Sequence, residues 1–301
     1  MGTTIGGRHE GTADTDPPLG KLMFPLRCTV RGCDLPLTAI ESGLRCEAGH
    51  SFDRAREGYF NLSQPQDSRS KNPGDSDEAV LARQRWIQQG HMVTFTDYLA
   101  GCFADCHVDD STVVDLGCGE GSFGKQLFAN STNVETSTQF CGIDLSKRAI
   151  RLAARQWDGA TWILANADRT LPVVSESISC VMSLFGRRPL SEVHRVLRPG
   201  GHALFAVPGE FDMIELREQV QQSGQRRDRM SAITAECVAA GLSPIKRFDW
   251  RHQCTLVQAE LQDVMAMSYR AFRHSEQARL AVLDQAEVTL HAELLLLQKA
   301  A

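Results

Sequence analysis

Short apolar runs rich in β-branched residues recur from residue 112 onward, separated by stretches with apolar positions at helical spacing. The runs at 113–116, 140–144, 162–168 (with its following loop), 178–185 and 202–207 read as strands. Their alternation with helices predicts an α/β fold with a doubly wound parallel sheet. Arg198-Pro199-Gly200-Gly201 is the turn into the fifth strand. Upstream, a helix is predicted over 78–89, capped by Ser76 or Asp77, stopped by Gly90, with Leu81, Trp86 and Ile87 on its apolar side. A second helix over 95–106 packs on the sheet. Downstream, 192–197, 212–222, 231–240 and 259–267 read as helices and 245–250 as a strand. Residues 289–298 look helical in their leucine content, yet alternate enough to be a final strand.

Polar stretches divide the chain. Residues 1–20 bury too little apolar surface to offset their ordering entropy and read as a disordered tail. Residues 21–66 form a small module, 67–110 a linker with two lead-in helices, and 111–301 the main domain. Within it, 225–230 is polar enough to be a mobile loop over the pocket.

Composition mainly excludes. In 301 residues, 42% hydrophobic and 23% charged, no apolar run of about 18 residues offers a membrane span. A basic stretch followed by an apolar one is absent from the start, so no secretory signal is expected. The ten cysteines therefore read as thiols or metal ligands in a reducing cytoplasm. A net charge of −5 sits awkwardly with nucleic-acid binding, which uses a basic face. Arg69, Lys71, Arg83 and Arg85 nevertheless put local positive charge beside the predicted cleft.

Two constellations carry chemistry. Cys28, Cys33, Cys46 and His50 pair two close ligands, a hairpin-length gap and two more close ligands, which suits one tetrahedral zinc ion. A module this short gains from the ion the stability its core lacks. Phe52, Tyr59 and Phe60 follow and can pack beneath it. Cys102, Cys106 and His107 sit at helical spacing and form no second set. The other constellation is Asp115-Leu-Gly117-Cys-Gly119-Glu120-Gly121, where a buried strand meets a glycine at every second position. Such a loop lets a ligand approach the backbone closely, and the following helix points free N–H groups at it. Asp144, ending the second strand, can accept hydrogen bonds from both hydroxyls of a ribose, or cap the helix that begins at Leu145-Ser146.

The glycine loop resembles the first motif of class I methyltransferases that use S-adenosylmethionine. With the metal cluster, Phe52-Asp53, Glu57 to Leu62, Pro73 to Ser76, Ala82-Arg83 and Gly90-His91 in the same order, the chain resembles the large-subunit ribosomal RNA guanine-N1 methyltransferases. That group includes enzymes protecting producers of macrolide antibiotics. The resemblance runs from about residue 24 onward, densest up to 124. It implies a Rossmann-like sheet with a small N-terminal zinc-binding module. Asp115, Gly117, Gly119, Glu120, Gly121 and Asp144 then hold the cofactor, Ala167 lines its adenine ring, and Asp168 meets the adenine amino group or remains a plain loop aspartate. Three departures stand out. Four residues, not two, separate the first two cysteines; Met92 follows Gly-His where the family often has tyrosine; and the fourth strand ends in Ser183-Leu-Phe-Gly-Arg-Arg-Pro189.

At that strand end Phe185 can stack on a base, and Arg187 or Arg188 can hold a phosphate or carboxylate; each can equally be structural. The family has a substrate loop where this chain has Ser268-Tyr-Arg270. The implied reaction is methyl transfer to guanine N1, whose proton must be removed, and no residue declares itself as the base. The negative charge and altered strand end keep open a small-molecule methyltransferase, and the missing base keeps open a non-catalytic protein that binds RNA or the cofactor. Ribosomal RNA is the expected partner in the first case, and a homodimer is compatible with any of them.

Overall fold

A computed structural model describes residues 24–65, 74–104, 112–129, 138–221, 228–267, 279 and 282–301. The expectations for 1–20, Arg69, Lys71, Cys106, His107, 222–227 and Ser268-Tyr-Arg270 lie outside the described residues.

Three short strands, β1 (Thr38–Ile40), β2 (Gly43–Arg45) and β3 (Ser51–Asp53), form an antiparallel sheet in the N-terminal module. The module's last strand, β4 (Phe60–Asn61), leaves it and pairs in parallel with β7 (Thr161–Leu164), at the edge of the main sheet. Two helices follow, α1 (Asp77–Gln88) and α2 (Val93–Ala104). Ser76 is the N-cap of α1, its Oγ accepting from the Ala79 N–H at 3.2 Å.

The main sheet adds β5 (Thr112–Leu116), β6 (Gln139–Asp144), β8 (Ile178–Leu184), β9 (Leu197–Pro208), β10 (Leu242–Val257) and β11 (Gln285–Lys299). Its order is β10-β11-β9-β8-β5-β6-β7-β4. All pairings from β9 to β4 are parallel; β11 runs antiparallel between β9 and β10. The order reverses beside β5, so a crevice opens at the carboxyl ends of β5 and β8, where such sheets bind ligands. The helices between and after the strands are α3 (Ser122–Gly124), continued by a π-helical turn Lys125–Ala129, α4 (Lys147–Gln156), α5 (Leu190–Val196), α6 (Ile214–Gln221), α7 (Arg229–Ala239) and α8 (Gln258–Met267).

Strand residues alternate between two cores with period two. In β8, Cys180, Met182 and Leu184 face one core and Val181 the other, a register shift between Ile178 and Cys180 putting Ile178 with Val181; in β11, Leu294 and Leu296 oppose Leu295 and Leu297. The first core is covered by α1, α2, α4 and α8. The second is covered by α5, α7 and the N-terminal module, through Phe24, Leu26, Leu44 and Phe52. Leu26 bridges Val173, and the Arg27 N–H donates to the Pro172 carbonyl, so module and sheet share backbone hydrogen bonds as well as a core.

The sequence reading needs adjusting in places. The 245–250 strand extends to Leu242–Val257, because β11 is a long apolar partner for it. The glycine loop is followed by one α-turn and a π-turn rather than a regular helix. Of the three aromatics, Phe52 packs with Cys28 and Cys46, whereas Tyr59 turns into the opposite core and Phe60 is consumed by the edge pairing.

Candidate active site and metal centre

The four module ligands converge. Their donor atoms all lie within 4.8 Å of one another. Cys33 and Cys46 Sγ are 3.7 Å apart, and His50 Nδ1 is 3.6 Å from Cys28 Sγ and 3.4 Å from Cys46 Sγ. A zinc ion with bonds of about 2.3 Å to sulfur and about 2.0 Å to nitrogen separates its tetrahedral donors by about 3.5–3.8 Å, close to these three distances, so three thiols and one imidazole are a donor set that suits it. The wide first gap is absorbed by a turn in which the Cys33 N–H donates to the Val30 carbonyl and Gly32 and Asp34 take positive φ.

The glycine loop hangs from β6. The Gly117 N–H donates to the Ile143 carbonyl at 2.8 Å, and the Gly119 N–H to Asp144 Oδ2 at 2.9 Å. Gly117, Gly119 and Gly121 all have positive φ. At Gly121 a Cβ would lie 2.5 Å from Trp162 Cη2, so this position admits glycine alone on two counts. Asp144 Oδ1 accepts the Ser146 N–H at 2.7 Å, and the N-cap of α4 is Ser146 rather than Asp144.

Three carboxylates surround this loop. Asp115 Oδ1 and Glu120 Oε1 are buried without a hydrogen-bond partner among the described residues. Burial, reinforced by the charges of Asp144 and Glu120, pushes the Asp115 carboxyl well above its usual range. Burial likewise raises Asp144, against the pull of the Ser146 and Gly119 N–H groups. Orphaned buried acceptors call for donors and positive charge. S-adenosylmethionine brings both, in its ammonium, its sulfonium and its ribose hydroxyls, and the residues present fit it.

Ala167 is half-buried against the second core, and Asp168 is exposed, its Oδ2 lying 3.2 Å from Arg187 Nε. Two residues expected to act separately thus form an exposed ion pair across the mouth of the crevice. Arg188 is structural, its Nη1 donating to the Gly186 carbonyl at 3.0 Å. Arg85 is taken up by Asp263. Arg83 lies over the glycine loop, its Nη1 3.8 Å from where a Gly119 Cβ would sit, and pairs with Asp75 at 2.8 Å.

Phe185 is the strained residue. Its φ is 61°, rare for an aromatic residue, and it is 40% exposed. Three bonds hold the turn: Phe185 N–H to the Ala206 carbonyl, Ser183 Oγ to the Arg187 carbonyl, and the Arg188 bond to Gly186. The ring leans on Phe95, centroids 5.4 Å apart, and forms one wall of a cavity of about 440 Å³. Trp86, Met92, Phe123 and Trp250 supply other apolar walls. This size is in the range of small-ligand sites, about 300–1,000 Å³. Gly186 Cα is 3.6 Å from the position of a Gly117 Cβ, so cavity and glycine loop adjoin.

The sequence reading missed the polar end of this cavity. Asp212 and His291 line it, on the turn after β9 and on β11. Asp212 was assigned to a helix start, but α6 begins two residues later. Nothing in the local sequence marks either residue, because the turn is brought to β11 by tertiary pairing.

A sheet of this order with a glycine loop and ribose-reaching acid at its switch point defines a class I S-adenosylmethionine-dependent methyltransferase. Comparison with known proteins agrees. Residues 113–201 match a methyltransferase domain family, and residues 26–71 match the zinc-ribbon family described as RlmA, N-terminal. A 23S rRNA (guanine(748)-N(1))-methyltransferase from Streptomyces fradiae is 34% identical over 64% of this chain and 66% of its own length. A provisionally named 23S rRNA guanine-N1 methyltransferase from Micromonospora griseorubida is 30% identical over 86% of this chain and 90% of its own. Among solved structures, a provisionally assigned methyltransferase from Bacillus halodurans C-125 superposes with a TM-score of 0.50 at 14% identity, covering 67% of this chain and 99% of that one, which speaks for the fold alone. The chain belongs to the 23S rRNA guanine-N1 methyltransferase family, with its zinc-ribbon module.

Proposed function

We propose that this enzyme methylates N1 of a guanine in large-subunit ribosomal RNA. The observation that carries the reading is the zinc-ribbon module, built into the sheet edge of a chain whose relatives are named for that reaction. In this reading Cys28, Cys33, Cys46 and His50 hold a structural zinc, and the module grips RNA around the target. Asp115, Gly117, Gly119, Glu120, Gly121 and Asp144 hold the cofactor, with Ala167 and Asp168 at its adenine. When bound, S-adenosylmethionine supplies an electrophilic methyl group on a good leaving group. The protein's task is alignment and water exclusion.

The flipped base enters the apolar cavity and stacks on Phe185. Arg83, Arg217 and Arg229 line the same cavity and offer positive charge to the nucleotide's phosphate or to the developing charge on guanine O6. Arg187, at the mouth, is placed to meet the RNA backbone.

Incubation with labelled cofactor and large-subunit RNA, followed by nucleoside analysis, tests the reading. The expected product is 1-methylguanosine. Label confined to small molecules, with none in RNA, would overturn it. Sedimentation of the same preparation reads whether the chain forms a homodimer.

A further inference from the structure

We infer that Asp212 is the general base that takes the N1 proton, an assignment that rests on the guanine reading above. The geometry comes first. Asp212 lines the cavity that Phe185 walls, and the adjoining Gly186 touches the glycine loop, so a ring stacked on Phe185 would share one cavity with Asp212 beside the cofactor loop. One carboxylate oxygen, Oδ1, accepts the His291 backbone N–H at 3.1 Å. That bond fixes the side chain through one of its two oxygens.

The turn carrying Asp212 is over-determined, as a catalytic base needs to be. The Asp212 N–H donates to the Gly209 carbonyl at 3.2 Å, and the Gly209 N–H to the His291 carbonyl at 2.9 Å. The Phe211 N–H donates to His291 Nδ1 at 3.0 Å, so Nδ1 is an acceptor and the ring proton sits on Nε2, facing Asp249 Oδ2 at 2.9 Å. The ring packs so closely on Gly209 that a Cβ there would lie 2.3 Å from it. His291, with its proton directed away to Asp249, is therefore a positioning residue, and the carboxylate is the acceptor facing the cavity.

The charged groups around Asp212 are Arg217 on α6, Arg229 at the start of α7, Arg83 on α1 and the His291–Asp249 pair on β11 and β10. Burial pushes the Asp212 carboxyl up to about 6, although the His291 N–H and the Arg217 charge pull it down. A base so poised is mostly ionised at neutral pH yet more basic than a free aspartate. In the step, the N1–H bond breaks and its proton moves to the Asp212 carboxylate. The freed electron pair of N1 forms the bond to the methyl carbon. The carbon–sulfur bond breaks with its pair on sulfur, leaving the neutral thioether, and Asp212 returns its proton to water.

The test is the single-turnover rate of 1-methylguanosine formation as a function of pH, for wild type, Asp212→Asn and Asp212→Glu, with cofactor affinity measured by calorimetry. Asparagine keeps an oxygen for the His291 N–H, so the turn survives. The wild-type rate is expected to fall as pH drops through about 6, where the base becomes protonated. Asp212→Asn is expected to lose about 100-fold or more at neutral pH, to lose that acidic limb, and to bind cofactor as the wild type does; Asp212→Glu is expected to regain part of the rate. An Asp212→Asn enzyme within about threefold of wild type, with the same pH profile, overturns this assignment alone. Absence of 1-methylguanosine from the wild-type reaction overturns the guanine reading and the assignment with it.

Discussion

The carboxylate of Asp115 is poorly solvated by the protein around it. Its Oδ1 is buried without a partner among the described residues, and its carboxyl is raised by burial and by neighbouring negative charge. A group whose folded pKa lies above its unfolded one favours the native state most at low pH and opposes it increasingly as pH rises. Asp115→Asn is therefore expected to stabilise the cofactor-free protein at pH 8, by about 1 kcal/mol on the scale of a buried unsatisfied group. The same change removes an acceptor and a negative charge from a site that receives a cation. Cofactor affinity is expected to fall about tenfold or more, since a charge-assisted hydrogen bond contributes about 1.5–3 kcal/mol. Thermal melts without cofactor and calorimetric titration with it read the two effects. A variant that is destabilised, or that binds normally, would remove Asp115 from the cofactor site.

At the scale of the element, the end of β8 trades stability for an exposed aromatic ring. Phe185 holds a left-handed backbone because its N–H is tied to Ala206 and the next turn is pinned by Ser183 and Arg188. Replacing Phe185 by glycine is expected to relieve about 1 kcal/mol of backbone strain, partly offset by lost packing on Phe95, and to cut methyl transfer by about tenfold or more while leaving cofactor affinity unchanged. Denaturation and turnover measurements check this; unchanged turnover would mean that the ring is structural. Phe185 was visible in the sequence because it ends a largely apolar strand, and so were the zinc ligands and the glycine loop, which are local in the chain. Strands β5 to β9 were legible for the same reason, whereas the two-residue β4 was not, since it is a strand only by pairing with β7. The long reach of β10 was not, since its partly exposed residues are ordered by pairing with β11 rather than by a pattern of their own. Asp212 and the Arg187–Asp168 pair were hidden for a related reason: each depends on chain segments distant in sequence meeting at the crevice.

Across the whole molecule, the N-terminal module is not a bead on a string. β4 extends the main sheet beside β7, Leu26 bridges Val173, and Arg27 reaches Leu171 and Glu192. Phe24, Leu26, Leu44 and Phe52 share one core with Ile163, Val173 and Val196. Cooperative units are defined by such shared burial rather than by sequence boundaries. Module and methyltransferase domain should therefore unfold together, and the metal should stabilise both. Scanning calorimetry of the zinc-loaded protein is expected to show one transition. Stripping zinc with a chelator should lower that whole transition, by about 10 °C if roughly 3–5 kcal/mol of linkage is lost, because each kcal/mol moves a domain of this size by about 2–4 °C. Cys46→Ser should reproduce the shift without chelator, since it removes one of four ligands from a buried position. Two resolved transitions, with a zinc-sensitive lower one and an upper one that ignores the chelator, would mean that the shared core is too weak to couple them. One transition sensitive to zinc means that the metal centre also stabilises the β7–β4 edge of the sheet that carries the crevice.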